Sequence, residues 1–475
     1  MIDYTTVIGL EVHVQLATAS KLFSPAPVAS LGEPNTRVQL IDLGLPGVLP
    51  RPNAAAMVLA VRAALALDGA VQEVSRFARK NYFYPDLPKG YQISQFEEPF
   101  CRGGTVPIGA GRTCRLHRIH LEEDAGKLTH TDLGTLVDLN RAGVPLVEIV
   151  SEPDLRDPAD AHTFLVQLRE ILRFAGVSDC DMELGSMRCD ANISLMPKGA
   201  QQYGTKVEIK NLNSMKMVQR ALDYEVRRQT AVLAAGGTIA AETRGWNDTK
   251  GETRPLRSKE NAPDYRYFQD PDLPPLVLTD EFVARVRAEL PELPEARRAR
   301  YRQTFGLPDY DIGVLTQDRA LGDWFEAVTA AGIEAKTAAN WVMTGVLQTM
   351  RERALPLEAL RITPQRLASL LRLVDAGTLT HGAAQQVFAW MLEHDGEPSQ
   401  GVRELGLERL TDPLVLQPLV LQAIEALPKA VADVRAGIEK PFDALKGHVM
   451  RATRGRADPA IVDALLRAAI GTVGP

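Results

Sequence analysis

Cysteine is scarce in this sequence, with four in 475 residues. Four thiols without a C-x-x-C pair cannot form a disulfide framework, so we expect buried, reduced cysteines. Cys114, His117 and His120 have a spacing that resembles a metal site. Period-2 alternation would place the two histidines on opposite faces of a strand, and a fourth ligand is lacking, which argues against zinc there. The cysteines are Cys101, Cys114, Cys180 and Cys189.

Long hydrophobic runs are missing as well. The longest apolar stretch, Pro413 to Leu427, contains Gln and Glu and is shorter than the ~20 residues that a bilayer span needs. The first six residues have neither a basic segment nor a cleavage-type site. We therefore expect no membrane segment and a cytoplasmic protein.

The sequence also has no surplus of positive charge, since 54 Lys and Arg stand against 60 Asp and Glu, a formal net charge of -6. This balance argues against a protein that binds nucleic acid with its whole surface, but it permits a local basic patch. With 45% hydrophobic and 24% charged residues the composition is that of a globular protein. The length predicts about two to four domains.

Several familiar signatures do not occur. The chain has no G-x-x-x-x-G-K-[ST] loop, and the glycines from Gly103 to Gly111 do not have the spacing of a dinucleotide-binding loop. It has no G-x-S-x-G nucleophile motif either. Any nucleotide must therefore bind without a standard phosphate loop.

The chain changes character near residue 292. Residues 1–292 are rich in Gly and Pro and show short alternating runs, which predicts an α+β body on a mixed or antiparallel sheet. From 293 to 400, Ala, Leu, Arg and Glu recur at helical spacing and predict an all-helical domain. Turn residues at 395–400 then separate a small helical tail domain, 401–475. Helix starts are predicted where an N-cap oxygen precedes proline, at Thr363, Asp412 and Asp458.

Three predicted strands of the body alternate apolar and polar side chains, and their polar faces are unusual. A solvent-exposed face of an antiparallel sheet would explain each strand taken alone. Such faces are mostly Thr, Ser, Lys and Gln, whereas these carry carboxylates, a histidine and an amide. The strands are Leu10–Leu16, Met187–Leu195 and Lys206–Lys210, with polar residues Glu11, His13, Gln15, Arg188, Asp190, Asn192, Ser194, Lys206, Glu208 and Lys210.

Four carboxylates are candidates for one concave site. Glu11, Asp190 and Glu208 lie on these polar faces, and Glu123 belongs to a run of three acids. Crowded carboxylates repel one another unless a proton or cation neutralises them, and Mg²⁺ or Mn²⁺ is the natural neutraliser. His13 is a less usual Mg²⁺ ligand, and the alternative is that it hydrogen-bonds a metal-bound water.

Basic residues surround these strands in loops punctuated by Pro and Gly. The segment Arg79–Tyr91 mixes cations with aromatic residues, and Asp138–Pro145 is similar. Each could be a structural turn with a surface ion pair. Cations that face a metal–carboxylate site are also what phosphoryl transfer needs, because its catalysis rests on positioning and charge neutralisation. The residues alone therefore lead to a hypothesis of metal-dependent phosphoryl transfer.

Long motifs spread over the whole chain, such as Leu121-Glu122-Glu123-Asp124-Ala125-Gly126-Lys127, carry a family resemblance. The others lie at 7–16, 32–36, 43–47, 79–91, 138–146, 188–192, 208–214 and 259–276. In this order they resemble the B subunits of the aspartyl/glutamyl-tRNA(Asn/Gln) amidotransferases. The resemblance implies a cradle-like catalytic body, followed by a helical domain and a tail domain that binds tRNA.

The resemblance also implies a two-step reaction. ATP phosphorylates the side-chain carboxylate of Glu or Asp misattached to tRNA(Gln) or tRNA(Asn), and ammonia then displaces the phosphate to give the amide. It implies ATP and Mg²⁺, or Mn²⁺, as cofactors. The metal and catalytic residues it implies are Glu11, His13, Glu123, Asp190 and Glu208, with Glu122 and Glu148 as further candidates. Candidates for phosphate contact are Lys89, Arg141, Lys206 and Lys210.

One departure from the family concerns zinc. Many relatives carry C-x-C and C-x-x-C pairs in the first sixty residues, where this chain has Ser24-Pro25-Ala26 and Gln39-Leu40-Ile41-Asp42. We therefore expect no structural zinc. A smaller departure is Gln269, where relatives commonly have Pro, and it has no evident functional consequence.

The family implies partners as well. The sequence contains no Gly/Ser-rich amidase motif, so the chain should need a separate amidase, the A subunit of the family, that releases ammonia from glutamine. A small C subunit would complete a heterotrimer that acts on misacylated tRNA.

Two other functions remain open from the sequence. The first is a non-catalytic RNA-binding scaffold, in which the basic segment 446–456 is the main functional feature, although a solvated helix end is the plainer explanation of that segment. The second is a ligase that acts on a free amino acid without tRNA. The tail residues proposed to contact tRNA are Lys446, Arg451, Arg454 and Arg456.

Overall fold

The structure is a computed structural model that describes residues 3–28, 32–258, 264–453 and 455–471. The chain forms two compact units, Met1–Arg297 and Arg298–Pro475. The first unit contains the sheet with its polar faces, and the second is helical. Each unit has its own hydrophobic core or cores.

The first unit is built on a large, mostly antiparallel sheet. Its strands follow the order β15-β14-β13-β12-β1-β11-β8-β6-β2, and β7 pairs with β8. Neighbouring strands run antiparallel except for the parallel pair β13 and β14. The strands are β1 (Tyr4–Gln15), β2 (Ala70–Val71), β6 (Cys101–Arg102), β7 (Thr105–Pro107), β8 (Thr113–Glu123), β11 (Pro145–Ser151), β12 (Met187–Pro197), β13 (Val207–Leu212), β14 (Glu242–Asn247) and β15 (Glu252–Ser258).

Smaller sheets lie beside it in the same unit. One has the strand order β16-β4-β5, and two others are the pairs β9–β10 and β3–β17. The strands are β3 (Val74–Ser75), β4 (Ala78–Asn81), β5 (Tyr91–Ser94), β9 (Lys127–Thr131), β10 (Gly134–Asp138), β16 (Phe268–Gln269) and β17 (Leu276–Val277). The predicted mixed or antiparallel α+β body is therefore confirmed.

Alternation along the central strand separates a core face from a polar face. Ile8, Leu10, Val12 and Val14 are all buried, and they pack in one core with the apolar residues of α1, α2 and α3. Each such side chain contributes about 1.5–3 kcal/mol when fully buried. The helices of the unit are α1 (Ala54–Ala66), α2 (Pro158–Phe174), α3 (Met215–Ala234) and α4 (Asp280–Ala288). The opposite face, which carries Glu11 and His13, is thus left for polar groups.

The second unit is a set of packed helices with two cores. The helices are α5 (Pro294–Phe305), which begins before the boundary between the units, α6 (Asp309–Leu315), α7 (Arg319–Ala330), α8 (Ala335–Trp341), a π-helical turn (Val342–Val346), α9 (Leu347–Arg353), a 3-10 turn (Leu357–Ala359), α10 (Pro364–Asp375), α11 (His381–Glu393), α12 (Pro398–Glu404), α13 (Pro413–Ala426), α14 (Pro428–Arg435), α15 (Lys440–Ala452) and α16 (Pro459–Ile470). The predicted N-caps are confirmed, because Thr363, Asp412 and Asp458 each accept a backbone hydrogen bond at a helix start.

The two cores of this unit meet C-terminal to the predicted boundary at residue 400. The first core extends to Leu407, and the second begins at Leu416. The helix α12 packs with the first core, and Trp390 Nε1 donates to Glu404 at 3.1 Å; the division into domains at residue 400 stays a prediction. Within the described residues, no single helix is long and apolar enough to span a membrane.

Candidate functional site

The polar face of the large sheet holds a row of side chains that crosses four strands. His13 on β1 lies opposite Glu148 on β11 and Arg188 on β12, and Glu148 in turn lies opposite His120 on β8. Directly opposed residues share a face of a sheet. Strand pairing therefore gathers groups that are more than a hundred residues apart in the sequence.

Three residues of this face form a compact set of ligand atoms. His13 Nε2 lies 3.2 Å from Glu122 Oε1 and 3.5 Å from Glu148 Oε2. One ligand atom from each residue lies within 4.8 Å of the other two. One imidazole and two carboxylates are a donor set that a divalent cation can use. His120 lies behind them, with Nε2 3.2 Å from Glu148 Oε2.

His13, Glu122 and Glu148 form a candidate ion-binding set, and its electrostatics depend on a proton at His13. Burial acts to lower the pKa of His13, but Glu148 and Glu122 outweigh burial and raise the pKa well above its ordinary value. Burial acts to raise the pKa of Glu148, but His120 and His13 hold it well below its ordinary range. A positive charge on His13 therefore balances these carboxylates, and a bound cation would take its place.

A second acidic group lies further along the same strands. Glu11 pairs across β1 and β12 with Asp190, and Asn192 pairs with Glu208 on β13. Asn192 Nδ2 donates to Glu11 Oε1 at 2.9 Å. Burial raises the pKa of Glu11, and the nearby carboxylates Glu148, Asp190 and Glu208 raise it further. A carboxylate with a raised pKa is suited to accept a proton near neutral pH.

Lys210 neutralises part of this second group. Its ammonium contacts Asp190 and lies 2.9 Å from Glu208 Oε1. The register of β12 and β13 shifts at this point, and Asn211 takes a left-handed φ of 66°. Such bulges re-aim side chains beside active sites. On the other side of Glu208, Thr243 donates to Oε2 at 2.7 Å.

Glu123 does not join either group. Alternation on β8 sends Glu122 and Glu123 to opposite faces, so only Glu122 contacts His13. The Glu123 carboxylate instead contacts the ammonium of Lys89 and accepts from the backbone N–H of Ile93 at 2.9 Å. The structure thus places the predicted ligands Glu11, Asp190 and Glu208 together, and it brings Glu122 and Glu148, rather than Glu123, to His13.

The four residues predicted to contact phosphate differ in whether another group of the protein already binds their charge. Lys89 and Lys210 are paired with carboxylates. Arg141 donates to the carbonyl oxygens of Ala125 and Gly126 at 2.9 and 2.7 Å, which fixes the loop after β8. Lys206 is exposed and lines a cavity of about 270 Å³ together with Glu11 and Asn192.

Sequence reasoning missed two kinds of residue. It favoured Glu123 over Glu122, although His120 and Glu122 share one face of β8 and Glu123 lies on the other, which was a readable signal. It also missed the ion pair of Arg188 with Asp124, whose Nη2 and Oδ2 lie 2.6 Å apart. No sequence signal links those two, because Asp124 follows β8 and Arg188 lies on β12, and only the folded sheet brings these two strands near each other.

The two loop segments compared above with cysteine pairs, residues 24–26 and 39–42, are in contact. Ser24 Oγ donates to Asp42 Oδ2 at 3.1 Å, and the backbone N–H of Gln39 donates to the same oxygen at 2.8 Å. Lys21, which is fully buried, lies 3.3 Å from that carboxylate. Hydrogen bonds and an ion pair therefore hold these loops together.

The tail cations lie at the end of α15 and beyond it. Lys446 pairs with Asp463 at 3.0 Å. Arg456 donates to the carbonyl oxygens of Thr453 and Gly406 at 3.1 and 2.9 Å. Arg451 is exposed and donates to the Gly447 carbonyl at 3.3 Å. Arg454 lies outside the described residues.

The chain matches two family models, and together they cover most of its length. Residues 6–284 match the "GatB/GatE catalytic domain", and residues 323–470 match the "GatB domain". The two acidic groups lie within the first match.

Similar curated proteins span the chain from end to end. The protein from Geobacillus kaustophilus (strain HTA426) is 47% identical over 473 residues, which is 99% of each chain. That from Moorella thermoacetica (strain ATCC 39073 / JCM 9320) is 48% identical and covers 98% of this chain and 99% of its own length. Macrococcus caseolyticus (strain JCSC5402) has one that is 46% identical over 98% of both chains. Each is named as the B subunit of an "Aspartyl/glutamyl-tRNA(Asn/Gln) amidotransferase".

Proposed function

The chain belongs to the family of aspartyl/glutamyl-tRNA(Asn/Gln) amidotransferase B subunits, and from that premise we propose that the polar face of its sheet is the amidation site. The reaction turns the side-chain carboxylate of Glu on tRNA(Gln), or of Asp on tRNA(Asn), into an amide. The convergence of His13, Glu122 and Glu148 is the observation that supports this location most directly.

The chemistry explains why ATP is needed. A carboxylate is a poor electrophile, and hydroxide or oxide is a poor leaving group. Transfer of the γ-phosphoryl group from ATP to a carboxylate oxygen gives an acyl phosphate and ADP. Ammonia then attacks the carbonyl carbon, the bond to the phosphate oxygen breaks, and phosphate leaves with the electron pair. The attacking nitrogen must lose a proton to become the amide.

His13, Glu122 and Glu148 fit a hard divalent cation, Mg²⁺ or Mn²⁺. Their ligand atoms lie within 4.8 Å of one another, and the set combines one imidazole with two carboxylates, of which Glu122 is buried and Glu148 is partly buried. When bound, the cation supplies charge neutralisation for phosphate oxygens. His13 would have to be deprotonated to serve as a ligand, and an ion held there would then balance Glu122 and Glu148 in place of the proton.

The second acidic group has a different task in this proposal. Lys210 already occupies the space between Asp190 and Glu208, so these two carboxylates orient an ammonium that faces substrate. Glu11 carries the raised pKa and takes the proton that the attacking ammonia releases. The charged groups on this face thereby divide into an ion-binding set and a proton-accepting set.

The complex around the chain is part of the proposal. Ammonia comes from glutamine through an amidase, the A subunit, and a small C subunit makes up the rest of a heterotrimer. Misacylated tRNA places its acceptor end at the first unit and contacts the tail through its backbone. The compartment we assign is the cytoplasm.

The test uses the reconstituted complex with misacylated tRNA, ATP and free ammonia, so that the glutamine-hydrolysing partner is bypassed. His13→Ala and Glu148→Gln should reduce amide formation by about 100-fold or more, since removal of even an outer-shell group costs a metal site about 10–100-fold. Filter binding should show unchanged affinity for tRNA. His130→Ala, in the exposed β9–β10 hairpin, is the matched control.

Two results would contradict the proposal. If His13→Ala and His130→Ala turn over at the same rate, the chain is an RNA-binding scaffold for a catalytic partner. If the wild-type complex amidates free glutamate without tRNA, it is a ligase for a free amino acid.

A further inference from the structure

A small sheet beside the ion-binding set carries a lysine, Lys80, that has no part in the proposed function so far. On β4 and β5, Ala78 pairs with Ser94 and Lys80 pairs with Gln92, so these side chains share a face. Ser94 Oγ lies 3.4 Å from Glu122 Oε2, and Gln92 Nε2 donates to the carbonyl oxygen of Glu123 at 2.7 Å. The face that bears Lys80 therefore lies against the end of β8 that carries Glu122.

Two tyrosines flank this lysine. The Lys80 ammonium lies 4.9 Å from the centroid of the Tyr265 ring, within the range of a cation–π contact. Tyr267 stacks on Phe96, with the ring centroids 4.1 Å apart and the planes at 6°. Both tyrosines are half-buried.

The segment that carries these tyrosines is fixed by hydrogen bonds to β4. The backbone N–H and the side-chain amide of Asn81 donate to the Tyr265 carbonyl oxygen at 3.0 and 3.1 Å. The same amide donates to the Arg266 carbonyl oxygen at 2.8 Å. The position of Lys80 relative to the rings is thus set before any ligand binds.

Among the residues that the structure describes, Lys80 differs from its neighbour Arg79 in having no carboxylate partner. Arg79 points to the other face of β4, where Asp270 and Asp272 lie 2.9 and 2.7 Å from its guanidinium nitrogens. Within the described ranges, no carboxylate oxygen lies within 4.0 Å of the Lys80 ammonium. Burial acts to lower the pKa of Lys80, but Tyr267, Glu122 and Glu148 outweigh burial and raise it. Lys80 thus stays charged at neutral pH, near two carboxylates that it does not touch.

We infer that Lys80, placed beside the Tyr265 ring, contacts a phosphoryl oxygen of the nucleotide next to the ion bound by His13, Glu122 and Glu148. The inference rests on the proposed function, since it presumes that a phosphoryl group is bound there. A compact ammonium with no paired carboxylate is a suitable donor to phosphate, and cations beside a divalent ion are typical of phosphoryl-transfer sites. The acyl phosphate of the substrate is the other possible source of the phosphoryl oxygen.

The test compares Lys80→Met, which keeps the length of the side chain and removes its charge, with Lys80→Arg. Lys250→Met, an exposed lysine in the turn between β14 and β15, is the matched control. In the whole complex without tRNA, the Kd for a non-hydrolysable ATP analogue should rise about tenfold or more in Lys80→Met, because a charge-assisted hydrogen bond contributes affinity of that order. Lys80→Arg should restore part of this loss.

A second measurement separates contact with the nucleotide from a structural role. Mn²⁺ affinity without nucleotide, followed by electron paramagnetic resonance, should rise by about two- to tenfold in Lys80→Met, because a positive charge near the ligands is gone. Nucleotide affinity and metal affinity then move in opposite directions. Damage to the site would lower both, and that result would overturn the inference.

Further outcomes are equally decisive. If Lys80→Met binds the analogue and Mn²⁺ as Lys250→Met does, Lys80 does not contact the nucleotide. If analogue binding is unchanged while the KM for misacylated tRNA rises, the phosphoryl oxygen belongs to the acyl phosphate, and the assignment to nucleotide is wrong. Failure of the proposed function is seen separately, as full turnover in His13→Ala.

Discussion

The acidic face of the sheet and the basic segment 446–456 are both dense in charge of one sign, but their side chains have different surroundings. On the sheet, the carboxylates of Glu122 and Glu148 lie near two imidazoles, those of His13 and His120, and near no Lys or Arg nitrogen within 4.0 Å among the described residues. In the tail, Lys446 has Asp463, and Arg456 has two backbone carbonyls. The acidic face keeps capacity for an added cation, whereas much of the tail's positive charge is engaged within the protein.

The two regions differ because the charged residues of the sheet come from separate strands, whereas those of the tail lie close together in the sequence. The acidic residues lie on β1, β8 and β11, and the sheet brings them together whether or not they repel one another. Of the tail cations, Lys446 and Arg451 lie on α15 and Arg456 follows it, and each of the three reaches a carbonyl or a carboxylate oxygen. A run of like charge in a sequence is therefore a weaker sign of a binding site than a convergence of like charges from separate strands.

The largest effect should come from a buried acid whose charge is fully paired. Glu225 on α3 is fully buried, receives hydrogen bonds from Arg228, Gln229 and Thr253, and lies 3.3 Å from Arg244. Glu225→Gln should cost about 3 kcal/mol in the free energy of unfolding, since it leaves buried cations uncompensated. Urea unfolding at pH 7 measures this, with Glu252→Gln, at a partly exposed acid that pairs with Arg254 near the surface, as control.

The same variant has a definite pH dependence. Burial acts to raise the pKa of Glu225, but hydrogen bonds from Arg228, Thr253 and Gln229 outweigh it, so the folded-state pKa is lowered. The charged carboxylate therefore contributes stability above the unfolded-state pKa of about 4.3 and loses it as pH falls through the folded-state value. The gap between wild type and Glu225→Gln should shrink below pH 4. A gap that widens there would contradict this account.

Glu122 and Glu123 are adjacent on β8 but lie on opposite faces of the sheet, so substitutions at these two acids should have different effects. Glu122→Gln removes a predicted ion ligand and should weaken Mn²⁺ binding by about 100-fold, since even outer-shell changes cost about 10–100-fold. Glu123→Gln, one residue away on the other face, should leave Mn²⁺ affinity within about threefold and instead lower the melting temperature, because Lys89 loses its partner. Isothermal titration and thermal unfolding of both variants are the measurements. Equal loss of Mn²⁺ affinity in the two would show that the faces are not separate sites.

The smallest effect concerns the tail. If this segment contacts the tRNA backbone, Arg451→Gln should reduce the slope of log K against log salt by about 0.7–0.9, the value for one phosphate contact. Lys446→Met should leave that slope unchanged, because Asp463 already engages its ammonium. Filter binding at several salt concentrations gives both slopes. Equal slopes for wild type and Arg451→Gln would remove Arg451 from the RNA contact.

Much of the fold and part of the site could be predicted from the sequence. Period-2 alternation on β1 and β12 was enough to place Glu11, His13, Asp190 and Asn192 on one face, and the structure agrees. The same rule applied to β8 would have selected Glu122 instead of Glu123. Family resemblance supplied the reaction and the partners, and the match over nearly the whole chain confirms the family.

Other features could not have been predicted. Lys80 and Tyr265 are 185 positions apart, and β4 meets the segment after residue 264 only in the folded protein. Lys89 and Arg141 had the composition expected of phosphate contacts, yet one pairs with Glu123 and the other holds backbone carbonyls. Sequence shows that a side chain is charged but does not show which group neutralises it.

The sequence by itself determined the alternating strands, the helix starts at Thr363, Asp412 and Asp458, the change from sheet to helices and the family. These depend on local backbone preference and on side-chain period, which are properties of short segments. Only the tertiary structure decided which carboxylates meet His13, which cations are already paired and which lysine faces the ion-binding set. Electrostatic interaction depends on distance through space, and strand register, not sequence separation, sets that distance.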